Sequence, residues 1–191
     1  VVRHVNYRYV GGRYETLDPS NTIITDNVLV RLDDSFNVVG VCPIDDTTAR
    51  TTPAQFPVHG LEDMRLFHHR DAWWVSATLR EHRTDGRCEI VVTQLDHEGR
   101  IVSAHVASSP AGARHEKNWA PIEGSDPITF LWNAEPPVRL SLDLTILATT
   151  LDRALPTSSE CSSARGSSQV IAVPGGWLTV VHHAYVSHER D

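Results

Sequence analysis

Little in this chain could hold it together covalently. Its three cysteines, Cys42, Cys88 and Cys161, are odd in number and far apart, and no C-x-x-C pair is present. Neither a disulfide framework nor a zinc ribbon is indicated; free thiols in a reducing compartment are the expectation. There is no N-x-S/T sequon. No apolar run approaches the length needed to span a bilayer, and no signal peptide opens the sequence. No membrane partner is therefore expected, and the cytoplasm is the expected location. Excess basic charge is missing too: the formal net charge is -7. A non-specific nucleic-acid binder draws its affinity from a basic surface, so no nucleic-acid partner is expected. Sustained helical spacing is the last absence, with Thr150 to Ala154 read as one helical turn at most.

What the chain does have is β sequence. Hydrophobic residues make up 40% of its 191 positions, enough for a packed core. Val1 to Tyr9 alternates and closes at Gly11-Gly12, and Thr22 to Leu32 is apolar and β-branched. Phe36 to Val41 follows a turn at Asp33-Asp34, and Pro43 to Pro57 reads as a connection. The most regular stretch has strands at Met64 to Phe67, Trp73 to Leu79, Cys88 to Leu95 and Ile101 to Ala107. Turns at His69-Arg70-Asp71, Asp85-Gly86 and His97-Glu98-Gly99 join them into a four-stranded meander. Further strands are expected at Ile128 to Trp132, Val138 to Leu142, Leu144 to Thr149, Val170 to Val173 and Trp177 to Tyr185, with a small-residue linker at Ser158 to Ala164.

Polar openings recur along this pattern. Asp63 and Lys117 lie 54 positions apart, and Lys117 and Arg165 lie 48 apart. A period near 50 made of four hairpin-linked strands is what a β-propeller blade looks like in sequence. Innermost strands border the channel, so the residues that open them converge. The alternative fold is a β-sandwich, which does not predict polar residues at blade spacing. Residues 1–191 are read as a single, incomplete β-propeller domain of about three to four blades. The opening Val and the strand-like start suggest a piece of a longer polypeptide with covalently linked flanking domains.

In Gly60-Leu61-Glu62-Asp63-Met64-Arg65, strand alternation puts Glu62 and Met64 on one face and Asp63 and Arg65 on the other. A carboxylate and a guanidinium sharing a face can meet one polar ligand together; the plainer reading is a surface ion pair. Lys117 beside Trp119 reads equally as a stem packed over an aromatic. Arg165 reads as a bridge between blades, and Ser167 and Ser168 as partners of the local backbone. Trp73, Trp74, Trp132 and Trp177 are read as core rather than sugar platforms. The pairs His68-His69 and His182-His183 place their members on opposite faces, so no metal site is expected.

Gly60-Leu61-Glu62-Asp63-Met64-Arg65 resembles the G-x-E-D-P-R stretch of the β-mannoside phosphorylases and mannosidases, glycoside hydrolase family 130, with Met64 where proline is usual. Glu116-Lys117-Asn118-Trp119 is similar to that family's E-K-N-W segment. Arg165-Gly166-Ser167-Ser168-Gln169, then Gly176-Trp177-Leu178 and Val181-His182-His183, are similar to its arginine-led loop and later strands. Asn6-Tyr7-Arg8 and Thr25-Asp26-Asn27 fit its start. Where the phosphorylases have a glycine- and proline-rich run after the loop arginine, this chain has Ser167-Ser168-Gln169, closer to related propellers that accompany bacterial sugar-transferring proteins.

The resemblance implies a five-bladed all-β propeller with a carbohydrate in its central pocket. Asp63 is then the catalytic proton donor or the anchor of sugar hydroxyls. Glu62 braces Arg65 or meets substrate, and Arg65, Lys117 and Arg165 hold an anion. Asn118 and His182 complete the substrate or phosphate site, and Trp119, Trp73 or Trp74 offers a platform to a pyranose. No metal or cofactor is implied; inorganic phosphate is the co-substrate if the chemistry is phosphorolysis. The alternative is a non-catalytic sugar-binding module of a larger glycan-synthesising protein, and a third reading is a purely structural scaffold.

Overall fold

The computed structural model describes residues 1–50, 53–134, 137–144, 148–152, 164–166 and 168–183. The chain is all-β, in several antiparallel sheets, and the described residues contain no α-helix; Thr47–Ala49 forms a single 3-10 turn.

The first sheet joins β1 (Val2–Val5), β4 (Ile23–Leu32) and β5 (Val38–Pro43) in that order. A hairpin of β2 (Tyr7–Val10) and β3 (Arg13–Thr16) is inserted between β1 and β4. The alternating run from Val1 to Tyr9 is therefore two strands, broken at Asn6, whose side chain bonds to the backbone of Thr22 and Ile24. The short β6 (Val58–His59) runs parallel to the start of β4 and leads into the second sheet.

The second sheet is the meander expected from the sequence. It comprises β7 (Glu62–His69), β8 (Ala72–Leu79), β9 (Glu89–Leu95) and β10 (Ile101–Ala107), each paired with the next. The β7–β8 turn has positive φ at Arg70 (46°) and Asp71 (57°), the backbone that matches the twist of the strands it joins. The third sheet repeats the plan with β11 (Ala120–Pro121), β12 (Ile128–Ala134), β13 (Pro137–Asp143) and β14 (Ala148–Leu151). Thr150 and Leu151 are thus strand rather than the single helical turn expected, because Thr150 pairs with Ser141 and Leu151 with Leu140.

Last comes an interrupted hairpin, with β15 (Ala164–Gly166) paired to β18 (Val181–His183) and β16 (Ile171–Val173) paired to β17 (Gly176–Leu178). Cys161, Ser167, Tyr185 and all of the 158–163 linker lie outside the described residues.

Both faces of the second sheet are covered, which is why β8 reads as a nearly unbroken apolar run. Trp74, Ile90, Val92 and Phe67 pack with Trp119, Phe130, Leu140 and Leu142 of the third sheet and the segment before it. On the opposite face Val75, Ala77, Leu79 and Val91 pack with Ile44, Ala49 and the partly buried Leu29 from the first sheet and its exit. Burying a side chain such as Phe130 is worth about 1.5–3 kcal/mol. These layers bring the openings of β1, β7 and β11 together, and Ile122 bridges in parallel to Val170 of the last hairpin.

Candidate functional site

The site begins with a glycine that nothing else can replace sterically. Gly60 has φ +87°, and a Cβ there would lie 2.1 Å from the carbonyl oxygen of Thr25. Its N–H donates to buried Glu81 (3.2 Å), and Asn27 Nδ2 donates to the carbonyl of Leu61 (2.7 Å). The strand that follows is therefore aimed by its own entry loop.

Immediately afterwards β7 bulges. Glu62 lies opposite Thr78 and Arg65 opposite Ser76, so three steps on β7 face two on β8. Asp63 carries φ +55°, a left-handed conformation that Asp and Asn adopt more readily than other non-glycine residues. The extra residue corrects the expected alternation. Thr78 and Ser76 point to the same face of β8, so Glu62 and Arg65 share a face, the one turned toward the third sheet. Met64 packs into the opposite core, and Asp63 is left at the rim with its side chain 45% exposed.

Two carboxylates and three cations meet here. Arg3, on β1, donates from Nη1 to Asp63 Oδ1 (2.7 Å) and from Nη2 to Glu62 Oε1 (3.1 Å) and Thr25 Oγ1 (3.4 Å). Lys117, the single lysine of the chain, donates from Nζ to Glu62 Oε2 at 3.4 Å. Glu62, only 10% exposed, is held between two cations, whereas Lys117 keeps 35% of its side chain exposed.

The third cation is used differently. Arg65 Nη1 donates to the carbonyl of Trp119 (3.0 Å), and Nη2 donates to Asn118 Oδ1 (3.1 Å) and the carbonyl of Gly166 (2.8 Å). Burial pushes its pKa down from the ordinary arginine value, and the nearby charge of Asp63 opposes that shift. Arg65 is thus a clamp that ties the opening of β7 to that of β11 and to the last residue of β15. Asn118, like Asp63, has a left-handed backbone (φ +64°). At Gly166 an added Cβ would come within 3.0 Å of Ala120 Cβ. Under the rim, Asp63, Arg65, Ser76, Thr78 and Asn118 surround a hollow of about 10 Å³ floored by Ile90 and Trp119, room for one water molecule.

Searches against family models, curated proteins and solved structures find no match.

Of the residues singled out in the sequence, Glu62, Asp63, Arg65, Lys117 and Asn118 form one connected cluster. Arg165 and His182 face each other across the β15–β18 pair, next to Gly166; the side chain of Arg165 lies outside the described residues. Trp119 is only 1% exposed, so it is core and presents no platform. Its indole N–H and that of Trp132 both donate to Glu116 Oε2 (2.9 and 3.1 Å). Ser109 Oγ donates to Glu116 Oε1 (2.5 Å), with Arg114 3.4 Å from the same oxygen. Glu116 therefore anchors the segment that delivers Lys117 and Asn118. Trp73 and Trp177, expected as core, are exposed instead. His69 Nδ1 donates to the carbonyl of Ser125 (3.0 Å), and His68 lies edge-on to Trp73. Cys88 is buried beneath Lys117; burial pushes its thiol pKa up, and the ammonium opposes the shift.

Arg3 is the site residue that sequence reasoning missed. It sits 60 positions before Asp63, because the inserted β2–β3 hairpin stretches the spacing beyond the period near 50. Its only signal is its place as the second residue of a first strand, equivalent to the openings of β7 and β11.

Proposed function

We propose that this chain is a carbohydrate-active β-propeller domain that acts on β-mannoside-like glycosides by phosphorolysis or hydrolysis. In this reading the ring has five blades, of which residues 1–191 span about three to four, and the protein works in the cytoplasm. Support for the ring comes from the two consecutive four-stranded meanders, and from apolar residues exposed on the first and last sheets, among them Val2, Val41, Trp177 and Leu178. Adjacent blades cover residues of this kind.

The observation that carries the functional reading is convergence. Arg3, Glu62, Asp63, Lys117 and Asn118, from the openings of successive sheets, are joined through direct contacts with one another or with Arg65. Asp63, the accessible carboxylate among them, donates the proton or anchors the sugar hydroxyls. Inverting hydrolysis needs a second carboxylate about 6.5–9.5 Å away to activate water. Glu62 is adjacent in sequence and already bound to two cations, which favours phosphate as the attacking group. Lys117 and Arg3 then supply positive charge at the rim, with Arg165 and His182 completing the anion site.

One observation favours a second reading, a non-catalytic sugar-binding module of a larger glycan-synthesising protein: Arg65 and Glu62 are both spent on partners within the protein. Incubation with β-mannosides, with and without phosphate, separates the two. Release of mannose 1-phosphate, lost at least about 100-fold in Asp63→Asn, is the expected result. Asn tolerates the left-handed backbone, and the half-exposed pair with Arg3 is worth only about 0.2–1 kcal/mol, so the variant should fold. Sugar binding without turnover supports the module, and absence of both binding and turnover rejects each reading.

A further inference from the structure

The hollow beneath Asp63 contains a polar group with no assigned task. Ser76 is 2% exposed, lines the hollow, and its Oγ makes no hydrogen bond to any protein atom. Buried hydroxyls are rarely left this way, because an unmade bond forfeits the water the group has given up. The space over Ser76 follows from the bulge, which loops Asp63 out of the β7–β8 ladder between the Glu62–Thr78 and Arg65–Ser76 pairs.

We propose that this hollow is a subsite for one neutral, hydroxyl-sized group recognised by Ser76 Oγ: a water in the free protein, and a hydroxyl of the ligand when a sugar is bound. The second half rests on the carbohydrate reading above; the first does not. Size admits one oxygen, since the hollow is about 10 Å³. Charge selects its class. An anion would face the Asp63 carboxylate, and a cation would face the partly buried guanidinium of Arg65. An apolar group would leave Ser76 unpaired. A hydroxyl both donates and accepts, so it alone can satisfy Ser76 while lying between a carboxylate and a guanidinium.

Removal of the Ser76 hydroxyl tests the first half through folding equilibrium. If Oγ is truly unpaired, Ser76→Ala relieves a penalty and the protein becomes more stable. If Oγ bonds to a held water, the folding equilibrium constant drops about fivefold. Ser103→Ala is the reference, because Ser103 Oγ on β10 is also buried without a protein partner but lies outside the hollow. A fivefold loss for Ser76→Ala alone is expected; an unchanged or raised constant, or equal losses in both variants, overturns the subsite.

Calorimetry with methyl β-D-mannopyranoside tests the second half. Binding should weaken about fivefold in Ser76→Ala, and equal affinity in the two proteins overturns recognition of a ligand hydroxyl. If the unaltered protein binds no mannoside, it is the carbohydrate reading that fails, and recognition of a ligand hydroxyl falls with it; the folding comparison still decides the water site.

Discussion

Gly60→Ala is expected to destabilise the protein by about 3 kcal/mol or more, through two effects that add. An alanine at φ +87° adopts a backbone that costs an L-residue about 1–2 kcal/mol. Its Cβ would also lie 2.1 Å from the Thr25 carbonyl oxygen. That oxygen belongs to the backbone of β4, held in register by the Val5–Thr25 pair, so it cannot swing aside as a side chain could. Relief would have to come from moving the 60–61 loop, at the expense of the Gly60–Glu81 and Asn27–Leu61 bonds. Because small domains are stable by only about 5–15 kcal/mol, such a loss is a large share of the whole. Urea unfolding checks it: the midpoint should fall while the slope stays constant. Gly40→Ala provides the contrast, since its Cβ would meet nothing nearer than 3.7 Å and the change should stay within about 0.5 kcal/mol. Equal effects at the two glycines would remove Gly60 as the element that aims β7.

The second sheet was legible because its signals are local. Alternation, the turn at His69-Arg70-Asp71 and the glycines at 86 and 99 each act over a few residues, and four of the eight strand ends fall where expected, with β7 two residues longer at each end, β8 starting one residue earlier and β9 one later. The site was legible as a set of residues and less so as a geometry. Period-2 alternation paired Asp63 with Arg65, but the bulge at Asp63 pairs Glu62 with Arg65 instead. A bulge depends on which residue of the neighbouring strand is opposite, and that is settled by tertiary pairing. The fate of Arg65 was hidden for a similar reason: its three oxygen partners come from residues 118, 119 and 166, more than 50 positions away. Exposure of Trp73 and Trp177 was equally out of reach, because an apolar residue in a strand does not say whether a neighbouring layer covers it.

Glu116 connects the hidden core to the exposed cluster, and its variants should separate in rank. All four of its close partners are donors: two indole N–H groups on Oε2, and Ser109 and Arg114 on Oε1. Glu116→Ala strands the buried indole N–H of Trp119 and the partly buried one of Trp132; each unpaired buried donor costs about 1–3 kcal/mol, so with the lost packing a loss of about 3 kcal/mol is expected. Glu116→Gln should cost only about 1 kcal/mol: its amide oxygen can keep both indoles, and the Ser109 hydroxyl can rotate to accept from the new NH₂. Only the half-exposed Arg114 then loses its carboxylate, while its guanidinium stays over the Trp132 ring. The two thermal midpoints measure this difference, and similar losses would mean that Glu116 acts through charge rather than through acceptor geometry. The ranking should carry through to the site. Trp119, held by Glu116, presents the carbonyl that receives Arg65, and Lys117 and Asn118 lie between these two anchors in sequence. A glutamine that keeps both indoles in place should therefore leave the Lys117–Glu62 pair intact, whereas alanine should loosen it, visible as faster modification of the single lysine amine.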